Sequence, residues 1–444
     1  MTATAHAAAL LPCAPGPLPT VSHGEGVFLY DVDGRGYLDG SSGAVAANLG
    51  HGNAPIADAL YGQASRVAFA HRTQWQAPPV TELAELIAAR TPGALDRVLF
   101  LSGGSEANEA AMRFALAHHR AHGRPERTGF LSRRTSYHGS TLGALSLTGQ
   151  GGRRAGVEGL LHPFPALHPA GGALPDADGL RAELARTDPT GLAAVVTEPV
   201  GGASGAALVP GPGYHAVLRE WCTANDVLWI ADEVMAGMGR TGRWFAVEHD
   251  GVVPDLLVLG KGISGGYAPL SAVVVDSGVA DAVLDDLGHV SFGHTYSNSP
   301  LTCAVGVAVV GEMERLDLVG NAGRQGGLLA ELLTGLAARH AVVHEHRGRG
   351  LLRGVELRDP ATGDPFPDAG RATREVLRAA RDQGLLLYPA AQGMYGGRGD
   401  GFLVAPPLTI TGSEIRELVA RLDRALTAVG SRRPRLARTP FPTT

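Results

Sequence analysis

Pro254-Asp-Leu-Leu-Val-Leu-Gly-Lys-Gly-Ile-Ser-Gly-Gly-Tyr-Ala-Pro-Leu270 sets a lysine directly behind a short apolar run, and Lys261 is the only lysine in 444 residues. Lysine and arginine together number 38, so 37 are arginine. Arginine replaces lysine wherever positive charge alone is needed, but it holds its proton, whereas a buried lysine can be shifted far enough to act as a nucleophile. Lys261 is therefore either the last survivor of a composition bias or a place where a primary amine is required, and its neighbourhood decides between the two.

Apolar runs of four to six residues alternate with helical stretches on both sides of it. Val98–Leu101, Ala193–Thr197, Val227–Ala231, Leu256–Leu259 and Ser271–Val275 read as buried strands, and Glu106–His122 and Tyr214–Asn225 as helices. That alternation predicts an α/β fold with a mostly parallel sheet covered on both faces. Ligands of such sheets collect beyond the carboxyl ends of the strands. Four polar features stand there: Ser102–Ser105, Glu198, Asp232 and Lys261.

Ser102-Gly-Gly-Ser-Glu-Ala-Asn-Glu109 is a glycine turn opening a helix, so first-turn N–H groups and the dipole can bind an anion such as phosphate. Read alone, it is more often an N-cap, with Ser105 capping and Glu106 and Glu109 complementing the dipole. Gly260-Lys-Gly-Ile-Ser-Gly265 matches a dinucleotide-binding fingerprint literally, but that motif must open a helix. Too few residues separate Gly262 from the strand at Ser271 to hold one, so the match is a decoy.

One deprotonatable lysine, one buried acid and an anion site together suit pyridoxal 5'-phosphate. The lysine forms a Schiff base with the aldehyde, and the acid pairs with the protonated pyridine nitrogen. Asp232, at the end of the preceding strand, is the natural partner.

Ala231-Asp-Glu-Val-Met-Ala-Gly-Met-Gly-Arg-Thr-Gly242, followed by Pro254–Leu270, resembles the signature of class III (ω-type) aminotransferases. Ser102–Ala110, Ser136-Tyr-His-Gly-Ser-Thr-Leu-Gly143, Thr197-Glu-Pro-Val-Gly-Gly202, Gly293-His-Thr-Tyr-Ser297 and Ala405-Pro-Pro-Leu-Thr-Ile410 resemble further blocks in the family order. The likeness runs from about Gly26 to Val429. It implies fold type I of the pyridoxal phosphate-dependent transferases, with a small α+β domain built from both termini. It also implies roles: Gly104 and Ser105 on the phosphate, Tyr137 and Val234 on the two ring faces, Lys261 and Asp232 as catalytic groups, and Glu198 and His138 as lesser site members. Thr295 would reach the phosphate of a neighbouring subunit, so a homodimer with interfacial active sites is implied.

The activity implied is ping-pong amino transfer from a primary amine or amino acid, with ω-amino donors favoured, to a keto acid or aldehyde. A racemase or epimerase, or a decarboxylating transaminase, remains open on the same scaffold, as does, more remotely, a catalytically silent cofactor-binding protein. Where ornithine, acetylornithine and 4-aminobutyrate enzymes commonly carry glutamine, Met235 stands here, which argues against those substrates. Arg398, eight residues before Pro406, is the candidate partner for a substrate carboxylate. Arg240 reads as structural, and Trp75 and Ser42 as packing rather than pocket lining.

The remaining expectations are broader. The chain divides into a tail (1–25), an N-terminal part of the small domain (26–80), a large cofactor-binding domain (81–319), a C-terminal small domain (320–430) and a disordered tail (431–444). Within the C-terminal small domain, Gly327–Arg339, Arg371–Gln383 and Ser413–Val429 read as helices and Leu352–Leu357 as a strand. A net charge of -5 gives no reason to bind nucleic acid or an anionic membrane. Cys13, Cys222 and Cys303 suggest neither a disulfide framework nor a metal site, so a cytoplasmic location without metal is expected. There is no apolar run long enough to span a bilayer.

Overall fold

The computed structural model describes residues 11, 18–167 and 174–432. Strands β1 (Val21–Glu25), β2 (Phe28–Asp31) and β3 (Gly36–Asp39) form an antiparallel entry sheet, with the Asp33-Gly34 turn between the last two. The first strand thus begins ahead of the expected boundary at Gly26, and the rest of the expected N-terminal tail, Cys13 included, lies largely outside the described residues.

The central sheet has seven strands: β4 (Leu95–Leu101), β5 (Gly129–Arg133), β6 (Ala166–Leu167), β7 (Leu192–Thr197), β8 (Leu228–Asp232), β9 (Leu256–Leu259) and β10 (Ser271–Asp276), in the order β4-β10-β9-β8-β7-β5-β6. All neighbours are parallel except β10, which runs antiparallel to both β4 and β9. The short link after Lys261 leaves no room for a crossover helix, so the chain turns back as a hairpin. Every residue of β7, β8 and β9 is buried. Alternate side chains feed two cores: Trp229, Leu257 and Leu259 on one face, Ile230, Leu256 and Val258 on the other.

Strands β11 (Val343–Arg349), β12 (Leu352–Leu357), β14 (Tyr388–Ala390) and β15 (Asp400–Val404) make a third, antiparallel sheet. Between them β13 (Leu385–Leu386) pairs in parallel with β3, which ties the two ends of the chain into one lobe beside the large sheet. This is the fold type I arrangement expected from the sequence.

Two helices of the C-terminal lobe extend past their expected limits. The one expected from Gly327 begins at Leu318 and runs to Arg339. Its glycines lower helix propensity, but Leu318 and Ala322 are buried, and a Cβ at Gly326 would lie 2.3 Å from the Gly350 carbonyl carbon. Close packing selects glycine there against local preference. The last helix spans Gly412–Arg432, so the expected tail loses its first two residues to it, and residues 433–444 lie outside the described ones. Among the described residues, no helix is long and apolar enough to cross a membrane.

Candidate active site

The carboxyl ends of β4, β7, β8 and β9 open into one cavity of about 340 Å³, lined among others by Gly104, Ser105, Tyr137, Glu198, Asp232 and Lys261. His138 and Val234 line it too. All eight are candidates from the sequence, and the sheet order brings them together.

Lys261 opens a single 3-10 turn, Lys261–Ser264, directly after β9. Its φ of +45° is a left-handed conformation that a side chain with a Cβ rarely adopts, and it is held by its surroundings. A Cβ on the following residue, Gly262, would fall 2.3 Å from Asn48 Nδ2, so only glycine lets the turn seat against Asn48. Burial pushes the Lys261 amine below its ordinary value, while the carboxylates of Asp232 and Glu198 act against that shift and Arg153 adds to it. Among the described residues no hydrogen bond or ion pair holds the amine.

Asp232, 4% exposed at the end of β8, has its carboxylate fixed from two sides. Oδ2 accepts from His138 Nδ1 at 2.7 Å and from Asn108 Nδ2 at 2.9 Å, and Oδ1 accepts from the Val234 backbone N–H at 3.1 Å. Glu198 is buried beside it. Oε1 accepts from the Gly202 N–H and Oε2 from the Tyr137 N–H. Burial raises the Glu198 carboxyl above the usual range, opposed by His138 and Arg133.

The phosphate-binding candidate is the start of the helix Gly104–Ala121. Ser105 does not cap it. Its Oγ instead accepts from the Ser140 N–H at 3.0 Å, while Glu106 reaches back to the N–H groups of Ser102 and Gly103. The N–H groups of Gly104 and Ser105 have no intrahelical partner at this position in a helix. A Cβ at Gly104 would lie 2.8 Å from Val234 Cγ1, so glycine sets the closeness of that approach.

Thr295 and Arg398 do not join this cavity. Thr295 is exposed in the loop before the helix Pro300–Arg315. Arg398 is exposed as well, with Nε donating to the Tyr395 carbonyl at 3.4 Å. Arg240 is structural: fully buried, its guanidinium donates to the carbonyls of Leu351 and Pro406, to Ser42 Oγ and to Asn48 Oδ1. Ser42 is packed as expected. Trp75 packs less than expected, at 68% exposed. Met235 lines the cavity with its thioether against Gly202.

Asn108 escapes the motif reading. Its Nδ2 meets Asp232 Oδ2, the His138 carbonyl at 2.9 Å and the Gly104 carbonyl at 3.2 Å, joining the helix start, the Tyr137 loop and the acid of β8. The available signal was helical register, since residues 104 and 108 lie one turn apart on one face. Arg153 was also missed. Its guanidinium lies 4.5 Å from the centre of the Tyr137 ring.

The unspent groups of this cavity match one kind of ligand. First-turn N–H groups face it at one end, Lys261 carries an unpaired amine, and His138 Nε2 and Asn108 Oδ1 are buried without partners around Asp232. An anion at one end, an aldehyde beside the amine and a ring nitrogen near the carboxylate are what pyridoxal phosphate offers. Fold and site together define a pyridoxal phosphate-dependent enzyme of fold type I.

Residues 14–426 match the model of aminotransferase class III, and the chain belongs to that family. An uncharacterized aminotransferase of Bacillus subtilis is 38% identical over 93% of this chain and 95% of its own length. An omega-aminotransferase of Caulobacter vibrioides is 34% identical over 91% of this chain and 93% of its own. The crystal structure of an amine transaminase from an uncultivated Pseudomonas species, in its pyridoxal phosphate-bound form, superposes with a TM-score of 0.86 at 33% identity, covering 94% and 98% of the two chains. The protein is an aminotransferase that uses pyridoxal phosphate.

Proposed function

We propose that this aminotransferase moves an amino group from a primary amine or ω-amino compound to a keto acid, with Lys261 and Asp232 as its catalytic residues. One observation carries the residue assignment: the lone lysine, the fixed carboxylate and the open helix start share a single cavity. The omega-aminotransferase and amine transaminase among the relatives support amine donors. Met235, a thioether where a polar contact would favour ornithine-like donors, supports the same choice.

Pyridoxal phosphate supplies an electrophilic aldehyde and a protonated pyridine ring that withdraws electrons from the carbon being deprotonated. Gly104 and Ser105 would hold its phosphate through backbone N–H groups, and Tyr137 and Val234 would flank its ring. Asp232, oriented by Asn108 and His138, would pair with the ring nitrogen and hold a proton there. Lys261 Nζ would carry the aldehyde carbon, and as a free amine it takes the proton from the substrate carbon bearing the nitrogen. Burial lowers the amine's proton affinity, which leaves more of it as the free base this step needs. Glu198 and His138 complete the wall around Asp232.

Thr295, exposed and outside its own cavity, is proposed to meet the phosphate of a second subunit, which makes the working form a homodimer. Cys222 and Cys303 are free and buried, in keeping with a reducing cytoplasm. The test is a screen of 1-phenylethylamine, β-alanine and 4-aminobutyrate against pyruvate and 2-oxoglutarate. Acceptor-dependent loss of the donor amine is expected. Racemisation without an acceptor, or release of carbon dioxide, would overturn the reading.

A further inference from the structure

We propose that Arg153 receives the anionic end of the substrate at the mouth of the cavity, so that this site takes amino and keto compounds carrying a second, acidic group. The proposal rests on the aminotransferase reading of the site. Arg153 lies in the short helix Gly151–Arg154 and sets its guanidinium over Tyr137, a cavity-lining ring. Stacked in this way, a guanidinium leaves its edges open for a planar, bidentate partner.

That edge has no protein partner. Nε donates to Gln150 Oε1 at 2.9 Å, but among the described residues neither terminal nitrogen meets an acceptor and no carboxylate pairs with the group. Its neighbour Arg154, by contrast, donates to the carbonyls of Ser146 and Thr148. The two interior acids cannot serve Arg153, because Asp232 is held by Asn108 and His138, and Glu198 by Gly202 and Tyr137. Arg347 and Arg358 of the C-terminal sheet region are both tied to Glu356. Tyr137, over which Arg153 sits, lines the same cavity as Lys261, and the Arg153 charge helps to lower the Lys261 amine. Arg398 has no cavity-lining ring beneath it, whereas Arg153 sits over Tyr137. Gln150 also approaches Gln392 at 3.4 Å, so Arg153 stands where the loop leading to Arg398 meets the Tyr137 side of the site.

The experiment uses the cofactor-loaded enzyme, the variants R153Q and R398Q, and two acceptors of similar size, pyruvate and propanal, with 1-phenylethylamine as donor. Loss of a charge-assisted fork should lower the ratio of kcat/KM for pyruvate to that for propanal by about tenfold or more in R153Q, with R398Q changing it less. Binding of propionate, followed by the absorbance of the bound cofactor, gives a readout free of turnover and should weaken about as much in R153Q. An unchanged ratio with unchanged propionate affinity in R153Q overturns the proposal, as does a loss confined to R398Q. If no amine is transferred to either acceptor, the proposed reaction fails, and the propionate measurement still decides the role of Arg153.

Discussion

Replacing Asn108 by leucine keeps the branched shape of the side chain and removes only its polar atoms, which makes it the sharpest probe of how Asp232 is held. The wild-type amide donates to Asp232 Oδ2 and to the His138 carbonyl, both at 2.9 Å. A hydrogen bond to a buried carboxylate contributes about 1.5–3 kcal/mol, and an orphaned buried carbonyl costs about 1–3 kcal/mol. The Gly104 carbonyl loses only a longer contact of 3.2 Å, and the buried, unpartnered Oδ1 disappears, which offsets part of the loss. The net expectation is about 2–5 kcal/mol of apoenzyme stability at neutral pH, read from urea denaturation. With its carboxylate less firmly aimed, pyridoxal phosphate should bind about tenfold or more weakly in equilibrium titration. A double-mutant cycle with Asp232→Asn isolates the pair, and a coupling of about 1 kcal/mol or more is expected for groups in direct contact. Stability within about 0.5 kcal/mol of wild type together with no coupling would refute the claim that Asn108 positions the acid.

Four further outcomes follow from the same geometry. Borohydride reduction of the loaded enzyme should leave a stable mass increase on the Lys261 peptide and none in Lys261→Arg, because arginine keeps its proton; an unmodified wild-type peptide would sink the assignment. Asp232→Asn should retain the fold by circular dichroism and lose about a hundredfold or more in kcat, whereas near-normal turnover would remove the carboxylate from the mechanism. Because burial lowers the Lys261 amine below 10.5, the rate of cofactor loading into apoenzyme should rise with pH and level off with a midpoint below that value. In the same window the unfolded chain binds more protons at this site than the folded one, so stability relative to Lys261→Met should increase as pH rises and fall as the amine protonates. A flat difference between the two proteins would contradict a depressed amine.

Much of this protein is legible without coordinates, for reasons that differ from residue to residue. Strands β7, β8 and β9 announce themselves because a parallel sheet buries both faces, leaving unbroken apolar runs with polar residues only at their ends. Lys261 and Asp232 are legible because they stand at those ends and because no other lysine competes. The helix Pro300–Arg315 is hard to read, since its β-branched, glycine-containing stretch is set by burial rather than by local propensity. Asn108 and Arg153 are harder still. One acts through residues 30 and 124 positions away, the other through a ring on a different segment.

The sequence by itself determined the fold class and the cofactor, and it singled out Lys261 and Asp232 as candidates, because covalent order fixes which polar residue ends each buried strand. Only the tertiary structure decided which side chains share the cavity with them. Sheet order sets β9 beside β8 and returns the chain through β10 to β4, and this brings the helix start at Gly104 to the same edge as Lys261. It also decided what those side chains experience: the burial that lowers the Lys261 amine, the three donors that hold Asp232, and the separation of Arg398 from the pocket wall. Electrostatics and hydrogen bonding depend on distance in space rather than along the chain, so these properties appear only once the strands are in their places.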